Sequence, residues 1–234
     1  MSQKESLHQI FRELHAERVR TMDPAKLQIN INQRKTLVET AEPSKWVKAG
    51  DKVKPFDLPE VDGGRVTLSG LLERGPAVLI FFRFEGCPAC NLALPHYQRN
   101  LLPGLRELGT SLVAVSPQVP ERLRAIKERH KLEFSVASDL DNKLGRELGI
   151  LYTFDEASQK SSTATGKTIG ETTGTGTWEL PQPTAIVIGP GGVVRFADVH
   201  PDWLLRTEAE PILAAVHSLS PTPKQKASAV ALGA

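Results

Sequence analysis

The sequence predicts an α/β protein built on a mixed central sheet, and three patterns lead to this prediction. Residues 77–82 form a continuous apolar run, which is typical of a central strand buried on both faces. After this run, segments with strand and helix patterns alternate, as they do in α/β folds. Further on, the apolar segments 185–188 and 193–197 flank Gly189-Pro190-Gly191-Gly192, which predicts an antiparallel hairpin. Parallel and antiparallel neighbours in one sheet make the sheet mixed.

Composition and charge restrict the class of protein. The 234 residues are 40% hydrophobic and 24% charged, which is typical of a globular protein long enough to bury a core. The 29 basic and 27 acidic residues are intermixed and leave a net charge of +2, so nothing favours nucleic-acid binding. The apolar run 77–82 is too short to span a membrane, and no apolar stretch typical of a secretory signal follows the first six residues. We therefore expect a cytoplasmic protein that binds neither nucleic acid nor a membrane.

A helical extension is predicted ahead of the sheet domain. Apolar side chains at helical spacing predict a helix over 3–21: Leu7, Ile10, Phe11 and Leu14. Asp23-Pro24 supplies an N-cap and a first-turn proline for a second helix that reaches about residue 41. We assign residues 1–48 to this extension, with packing or formation of a homodimer as its role. Residues 49–220 form the sheet domain, and 221–234 are expected to be a flexible tail.

The other elements of the sheet domain follow from local patterns. A short strand pair is predicted within 55–68, around the turn Asp62-Gly63-Gly64. Further strands are predicted at 111–116 and 134–137, and helices from the cysteines to about 108, at 120–131, at 142–148 and from Pro211 onward. Residues 157–177 are rich in Ser, Thr and Gly and have few apolar anchors. We predict that they form a long loop, whose role stays open: a mobile flap over the active site is favoured over a nucleotide-binding loop.

The two cysteines of the chain stand together in Cys87-Pro88-Ala89-Cys90. This segment follows the buried strand and opens a helix, so the first sulfur lies in solvent at a helix N-terminus, where a thiolate is stabilised. The pKa of a thiol at such a site falls to about 3.5–7.5, from about 8.5 when free. Cys87 is therefore the predicted nucleophile, and Cys90, one turn inward, attacks the mixed disulfide or sulfenic acid formed on it.

Two other interpretations of the cysteine pair are weaker. A structural zinc site needs four ligands, and the histidines nearest in sequence, His96 and His130, have no paired spacing that would complete it. A chance, inert pair is the second alternative. We expect no metal and no cofactor. Arg83, four residues before Cys87, is a candidate for adding positive charge near the sulfur, and a solvated strand-end arginine is the alternative for it.

The segment 82–90 resembles the active site of thioredoxins in its spacing from strand to cysteine. Pro95 matches the proline that kinks their active-site helix, and Gln182-Pro183-Thr184 before a strand is similar to their cis-proline loop. The resemblance implies that the bond before Pro183 is cis and that this loop lies beside the cysteine pair, presenting its backbone to the substrate.

A wider set of motifs, over residues 50–218, resembles the alkyl hydroperoxide reductase/thiol-specific antioxidant superfamily, and within it the peroxiredoxin-like branch with a CPxC active site. The motifs are Gly50-Asp51-Lys52-Val53, Phe56-Asp57-Leu58-Pro59, Val78-Leu79-Ile80-Phe81-Phe82-Arg83, Val113-Ala114-Val115-Ser116-Pro117-Gln118, Ser138-Asp139 and Leu148-Gly149-Ile150. The resemblance implies a thioredoxin-like fold with a mixed central sheet flanked by helices. It also implies a thiol-dependent redox enzyme that uses a thioredoxin- or glutathione-type reductant.

The chain departs from typical peroxiredoxins at two positions. Typical peroxiredoxins have a threonine that orients the peroxide three residues before the peroxidatic cysteine. That position is Phe84 if Cys87 is the peroxidatic cysteine, and Cys87 itself if Cys90 is. The arginine near the start of a late strand is replaced by Pro183, which leaves Arg83 as the candidate donor. The predicted site is therefore Cys87, Cys90, Arg83 and Pro183, with peroxides or disulfides as substrates. The alternatives are a thiol–disulfide oxidoreductase without real peroxidase activity and a redox-inert binding or scaffold protein.

Overall fold

The computed structural model describes residues 6–166 and 168–219. Within these ranges the strands are β1 (Asp57–Pro59), β2 (Arg65–Thr67), β3 (Ala77–Phe81), β4 (Ser111–Ser116), β5 (Ser135–Ser138), β6 (Leu151–Thr153), β7 (Glu179–Pro181), β8 (Thr184–Ile188) and β9 (Val194–Val199). The α-helices are α1 (Leu7–Thr21), α2 (Pro24–Glu39), α3 (Leu68–Leu72), α4 (Pro88–Asn100), α5 (Leu102–Glu107), α6 (Pro120–His130), α7 (Lys143–Glu147), α8 (Glu156–Ala164), α9 (Ile169–Thr173) and α10 (Ala209–His217). The predicted tail 221–234 lies outside the described residues.

The helices of the N-terminal extension begin at side-chain caps. The Ser6 hydroxyl accepts a hydrogen bond from the backbone of the first turn of α1. The Asp23 carboxylate does the same for α2, with Pro24 at the first helical position. Both predicted helices are confirmed, although the first three residues of the first prediction, 3–5, lie outside the described ranges. In the described part of the chain, no helix combines the length and the apolar character needed to cross a membrane.

The large sheet has the strand order β5-β4-β3-β8-β9. Strand β3 is parallel to β4 and β4 is parallel to β5, whereas β8 is antiparallel to both β3 and β9. All five side chains of the central strand β3 are buried, as its continuous apolar run predicts. The prediction of an α/β fold with a mixed sheet is confirmed, and so is the antiparallel pair of β1 and β2. The small antiparallel sheet of β6 and β7 is additional to the prediction.

Two apolar layers cover the two faces of the sheet. Because side chains alternate along a strand, Val78 and Ile80 of β3 pack into one layer with α1, α4, α6 and α10. Leu79 and Phe81 pack into the other layer, with α3 and α7. The sheet is therefore flanked by helices, as predicted, and the N-terminal extension shares the core of the first layer through Leu7.

The helix predicted from the cysteines to about residue 108 is divided into α4 and α5. Pro103 is the cause, because a proline has no N–H for the helical ladder and its ring clashes with the carbonyl one turn earlier. The chain turns at Leu101 and a new helix starts. Helix α10 begins at Ala209, slightly before the predicted Pro211.

The prediction of a long loop over 157–177 is wrong, because this segment holds helix α9 and most of α8. Each helix begins at a capping side chain, Asp155 for α8 and Thr168 for α9. Thr168 and Glu171 form a reciprocal capping box, and Ile169 is buried against the main core. Thr168, one of the residues whose composition indicates a loop, therefore serves here as a helix cap.

The segment 202–208, between β9 and α10, attaches the N-terminal extension to the sheet domain. Arg34 of α2 binds the Asp202 carboxylate through two hydrogen bonds of 2.6 and 2.7 Å. The Trp203 indole N–H donates to Gln33 Oε1 at 2.9 Å. The Glu208 carboxylate accepts two backbone N–H groups at the start of α1, at 3.0 and 3.1 Å. Polar contacts at both ends of the extension thus supplement its apolar packing.

Candidate active site

Cys87 lies where the turn after β3 enters helix α4. It is the N-cap of α4, and Pro88 occupies the first helical position, where a backbone N–H has no helical partner. The Cys87 N–H donates to the Phe84 carbonyl oxygen at 3.2 Å and closes the turn. Cys90 lies in the first turn of α4, close enough for its thiol to hydrogen-bond to the Cys87 sulfur. The predicted position of the pair at a strand-to-helix junction is confirmed.

Asn91 connects this turn to helix α6. Its side-chain N–H groups donate to the carbonyl oxygens of Glu85 at 2.6 Å and of Cys87 at 3.0 Å. Its amide oxygen accepts from Arg129 at 2.9 Å and lies 2.8 Å from His130 Nε2. Burial and the neighbouring Arg129 lower the pKa of His130, so the ring is neutral at pH 7 and Nε2 carries the donated proton.

In the described part of the chain, no three His, Cys, Asp or Glu side chains are grouped to hold a metal ion.

Both cysteines are free thiols, and both are buried. The exposed fraction is 1% for Cys87 and 0% for Cys90. The expectation that Cys87 lies in solvent is therefore wrong. Side chains of α1, α2 and α8 cover the start of α4, and Cys87 is reached through the cavity that they enclose.

The two thiols differ in protonation. The pKa of Cys87 is lowered to about 5, first because the Cys90 thiol hydrogen-bonds to its sulfur. Burial opposes this effect, and the guanidinium groups of Arg83 and Arg206 lower the pKa further. Burial, and then the hydrogen bond and negative charge of Cys87, raise the pKa of Cys90 well above its usual range. The backbone N–H of Cys90 contributes less than these side chains, so side chains stabilise the thiolate more than the helix N-terminus does. At neutral pH this arrangement pairs a thiolate with a protonated thiol.

Arg83 follows β3 directly and is a buried cation, with an exposed fraction of 7%. Its guanidinium carbon lies 4.7 Å from the centroid of the Trp203 ring and 5.4 Å from that of Phe84. Its Nε–H is buried and has no hydrogen-bond partner among the described residues. Since Arg83 lines the same cavity as Cys87, the alternative of a solvated arginine is excluded. An unpaired donor beside a thiolate is suited to binding an oxygen of a substrate.

Arg206 is a second buried arginine at the site, and the sequence did not indicate it. Its Nη2 donates to Cys90 Sγ at 3.5 Å, and its Nη1 donates to the carbonyl oxygens of Trp203 and Leu205, each at 2.6 Å. The exposed fraction of Arg206 is 3%. It is 116 positions from Cys90 in the chain and belongs to no recognisable motif, so only the tertiary fold brings the two together. Arg206 does not line the cavity over Cys87, so Arg83 stays the predicted donor for the substrate.

Pro183 does not have the predicted geometry. The Gln182–Pro183 bond is trans, and no cis peptide bond occurs in the described residues. Pro183 is buried at the start of β8, where its carbonyl oxygen accepts the His200 N–H at 2.9 Å. Extended pairing of β8 with both β3 and β9 keeps the chain straight at this point. Pro183 is also absent from the cavity lining.

A cavity of about 580 Å³ lies over Cys87. We call its base the floor, which is formed by Arg83, Phe84, Cys87, Pro88 and Ala89. We call its cover the roof, which consists of side chains of α1 and α2 with neighbouring residues (Leu14, Arg18, Thr21, Met22, Lys26, Ile29, Asn30 and Gln33) and of Ser158, Ser161, Ser162 and Thr165 in and after α8. Part of the 157–177 segment therefore lies over the active site. Phe154, Ile169 and Trp203 complete the wall.

Tyr152 is a further buried group near the cysteines that sequence reasoning missed. Its hydroxyl has no hydrogen-bond partner among the described residues. The pKa of Tyr152 is raised to about 12, mainly by burial, which the positive charge of Arg83 opposes in part. The hydroxyl therefore keeps its proton at neutral pH and is a donor.

Comparison with known proteins identifies relatives over the sheet domain. A family model described as the AhpC/TSA family matches residues 49–197. Peroxiredoxin Bcp of Escherichia coli (strain K12) is 31% identical over 110 residues, which are 44% of this chain and 65% of that protein. The chain thus spans slightly less than two thirds of that relative's length. A putative peroxiredoxin of Mycobacterium tuberculosis is 29% identical over 104 residues, which are 44% of this chain and 67% of that protein.

Solved structures share the fold. Peroxidoxin BcpB of Mycobacterium tuberculosis superposes with a TM-score of 0.57 at 22% identity, covering 75% of this chain and 99% of that one. Peroxiredoxin Q of Xanthomonas campestris gives a TM-score of 0.53 at 18% identity, with 70% and 90% covered. A peroxiredoxin 6 of Arenicola marina gives 0.59 at 16% identity, with 74% and 73% covered. The thioredoxin-like fold expected from the sequence is confirmed.

Proposed function

Because this chain belongs to the AhpC/TSA family, we propose that it is a thiol-dependent peroxidase that cycles Cys87 and Cys90 between dithiol and disulfide. One observation carries the proposal: the thiolate of Cys87 lies at the floor of a cavity, beside a buried arginine whose Nε–H is unpaired. A nucleophile needs to be deprotonated, and the departing oxygen needs a donor. Cys87 is the deprotonated nucleophile, and Arg83 is the donor for the departing oxygen.

In the first step the Cys87 thiolate attacks one oxygen of a hydroperoxide ROOH. The bond from sulfur to the terminal oxygen forms as the O–O bond breaks, so Cys87 becomes a sulfenic acid. The leaving RO⁻ takes a proton from solvent and departs as the alcohol ROH. Charge develops on that oxygen in the transition state, and the Arg83 guanidinium stabilises it. Trp203 and Phe84 hold the guanidinium from its faces, so Arg83 is already in place before the substrate arrives.

In the second step Cys90 attacks the sulfenic sulfur of Cys87, water leaves, and a disulfide forms. Two of the causes that raise the pKa of Cys90, the hydrogen bond and the negative charge of Cys87, disappear when Cys87 is oxidised. Arg206, at 3.5 Å, then stabilises the Cys90 thiolate. Oxidation of the first cysteine therefore activates the second.

In the third step two thiols of a small, glutathione-type reductant reduce the disulfide, because a thioredoxin-type protein would meet the same barrier of burial as a protein disulfide. The cycle converts one ROOH and two R′SH into ROH, H₂O and R′SSR′. The reductant, a possible homodimer and the cytoplasmic location remain predictions from the sequence.

The burial of Cys87 favours a small oxidant over a protein disulfide as the substrate. A disulfide in a folded protein would need to enter a cavity of about 580 Å³ to meet a sulfur that is 1% exposed. A hydroperoxide fits the same space with room for an organic group. The peroxidase is therefore preferred to the alternative of a disulfide oxidoreductase.

Stopped-flow mixing of the reduced protein with hydrogen peroxide and with cumene hydroperoxide tests the proposal, with tryptophan fluorescence as the signal, since Trp203 packs on Arg83. We expect rapid oxidation, loss of both thiols and no crosslink between chains. Cys87→Ser abolishes the reaction, whereas Cys90→Ser stops at a sulfenic acid that dimedone traps. Two thiols that persist in excess peroxide would favour the redox-inert alternative. Slow oxidation together with rapid exchange with disulfides would favour the oxidoreductase.

A further inference from the structure

The roof of the cavity comes mainly from a part of the chain that the family match does not include. The match begins at residue 49, whereas the roof residues of α1 and α2 lie between Leu14 and Gln33. Trp203, in the wall, lies beyond its end at residue 197. Any substrate selectivity that the roof provides therefore comes from residues outside the family match.

The charged side chains that line the cavity are predominantly positive. The described lining includes three cationic side chains, Arg18, Lys26 and Arg83, and no Asp or Glu. The thiolate of Cys87 offsets only one of these charges. A cavity of this kind attracts a negatively charged ligand.

Arg18 is the roof cation with the most defined environment. It is half-buried, its Nη2 donates to Asn30 Oδ1 at 3.0 Å, and its guanidinium carbon lies 5.3 Å from the Trp203 ring centroid. Among the described residues, no carboxylate lies within ion-pair distance of it. Two other arginines of these helices do have carboxylate partners: Arg20 pairs with Glu17, and Arg34 pairs with Asp202. Arg18 is thus held in position without being neutralised.

The geometry sets the distance between Arg18 and the reacting end of the cavity. Arg18 and Arg83 both pack on the Trp203 ring, at 5.3 and 4.7 Å from its centroid, so their guanidinium groups lie within about 10 Å of each other. Apolar side chains line the space around them: Leu14, Ile29, Phe154 and Ile169. The cavity therefore offers a cation for a peroxide oxygen, a second cation for an anion, and an apolar surface for the hydrocarbon around both.

We propose that Arg18, with Lys26 at the outer rim, binds an anionic group of the substrate, so that the enzyme selects compact organic hydroperoxides bearing a carboxylate about 10 Å or less from the peroxide. This inference rests on the proposed peroxidase function, and it deepens it by naming the substrate class. The planar guanidinium of Arg18 matches a carboxylate through paired hydrogen bonds. An anionic thiol reductant has the same charge, but it does not use the apolar wall.

The test compares two hydroperoxides that differ only in charge: cumene hydroperoxide with a para-carboxylate, and its methyl ester. Stopped-flow oxidation of the reduced protein measures both in the absence of any reductant. We expect the second-order rate constant of this oxidation to be about 10-fold higher for the carboxylate, because a charge-assisted hydrogen bond at a half-buried site contributes toward the lower end of its range. The ratio falls to near one in Arg18→Met, is largely kept in Arg18→Lys, and declines in wild type as salt is raised.

The matched control is Arg20→Met, which removes a cation from the same helix outside the cavity and leaves the ratio unchanged. Thermal unfolding of each variant verifies that α1 stays folded. Fast oxidation by both compounds with a ratio near one in the wild type overturns the inference and leaves the peroxidase intact. A charge preference that appears only when the reductant is varied also overturns it.

A binding measurement separates the two proposals. Calorimetry with 4-isopropylbenzoate and the Cys87→Ser protein measures anion binding without any chemistry, and we expect binding that Arg18→Met weakens about 10-fold. If neither hydroperoxide oxidises Cys87, the proposed function fails, and this measurement decides on the anion site alone. Binding that does not depend on Arg18 contradicts the site.

Discussion

The floor and the roof of the cavity differ in how the sequence encodes them. The floor follows from a motif, because the strand, the turn and the cysteine pair are contiguous from β3 to α4. The roof is assembled from the consecutive helices α1 and α2 and from α8, which is far from them in sequence and meets them only in the folded chain. The floor belongs to the family match and the helices α1 and α2 do not. The comparison teaches that the local motif provides the chemistry, while distant segments determine what reaches it.

The largest expected effect tests whether the roof is part of the same folding unit as the floor. Phe11 of α1 is 2% exposed and packs in the main core. Phe11→Ala should lower the free energy of unfolding of the whole protein by about 3–5 kcal/mol, because it opens a cavity there. Urea unfolding measured by circular dichroism checks this, with Val19→Ala, at an exposed position on the same helix, expected to change it by less than about 0.5 kcal/mol. An unchanged main transition would mean that the roof folds separately.

The next effect distinguishes the two arginines around the floor. Arg83→Met should slow the first oxidation of Cys87 by about 10²–10³-fold, because it removes the donor for the leaving oxygen. Arg206→Met should instead slow the closure of the disulfide, since Arg206 contacts Cys90. Single-turnover oxidation combined with dimedone trapping of the sulfenic acid measures the two steps separately. If both variants slow the first step equally, the division of roles is wrong.

A smaller effect follows from the pKa of Cys87, which is about 5. The thiolate is the reactive form, so the rate of alkylation of Cys87 should be constant above about pH 6, half-maximal near pH 5 and tenfold lower for each further unit of acid. Cys90, whose pKa is raised, should react only in strongly alkaline solution. Mass spectrometry after brief treatment with iodoacetamide checks both. Cys90 labelled first would reverse the assignment of the nucleophile.

The smallest effect concerns the segment beside the roof that the sequence failed to predict. Thr168→Ala removes one partner of the capping box of α9 and should destabilise that helix by about 1 kcal/mol. Hydrogen exchange at the amides of α9 should become correspondingly faster, with those of β3 unchanged. Unchanged exchange in α9 would show that burial of Ile169, and not the cap, holds the helix.

Most of the fold could be predicted because its signals are local. The apolar run of β3, the hairpin glycines and the caps of α1 and α2 each lie within a few residues of the element that they specify. The loop predicted over 157–177 failed because Ser and Thr are common in loops and in helix caps alike, and composition does not distinguish the two.

The candidate site could be predicted only in part. Cys87 and Cys90 were identified by their position, and Arg83 by its proximity in sequence. Arg206 and the burial of Cys87 depend on contacts between distant segments, for which a single sequence carries no signal. The cis geometry expected for Pro183 came from resemblance alone, and the strand pairing of β8 shows a trans bond instead.

The short segment 202–208 has a mechanical consequence. It carries the contacts that fasten α1 and α2, and it also carries Arg206, whose guanidinium rests on the Cys90 sulfur. Lifting the two helices must either break those contacts or pull the segment along and withdraw Arg206 from the sulfur. The opening of the cavity and the reactivity of Cys90 are thus mechanically coupled through one short segment of the chain.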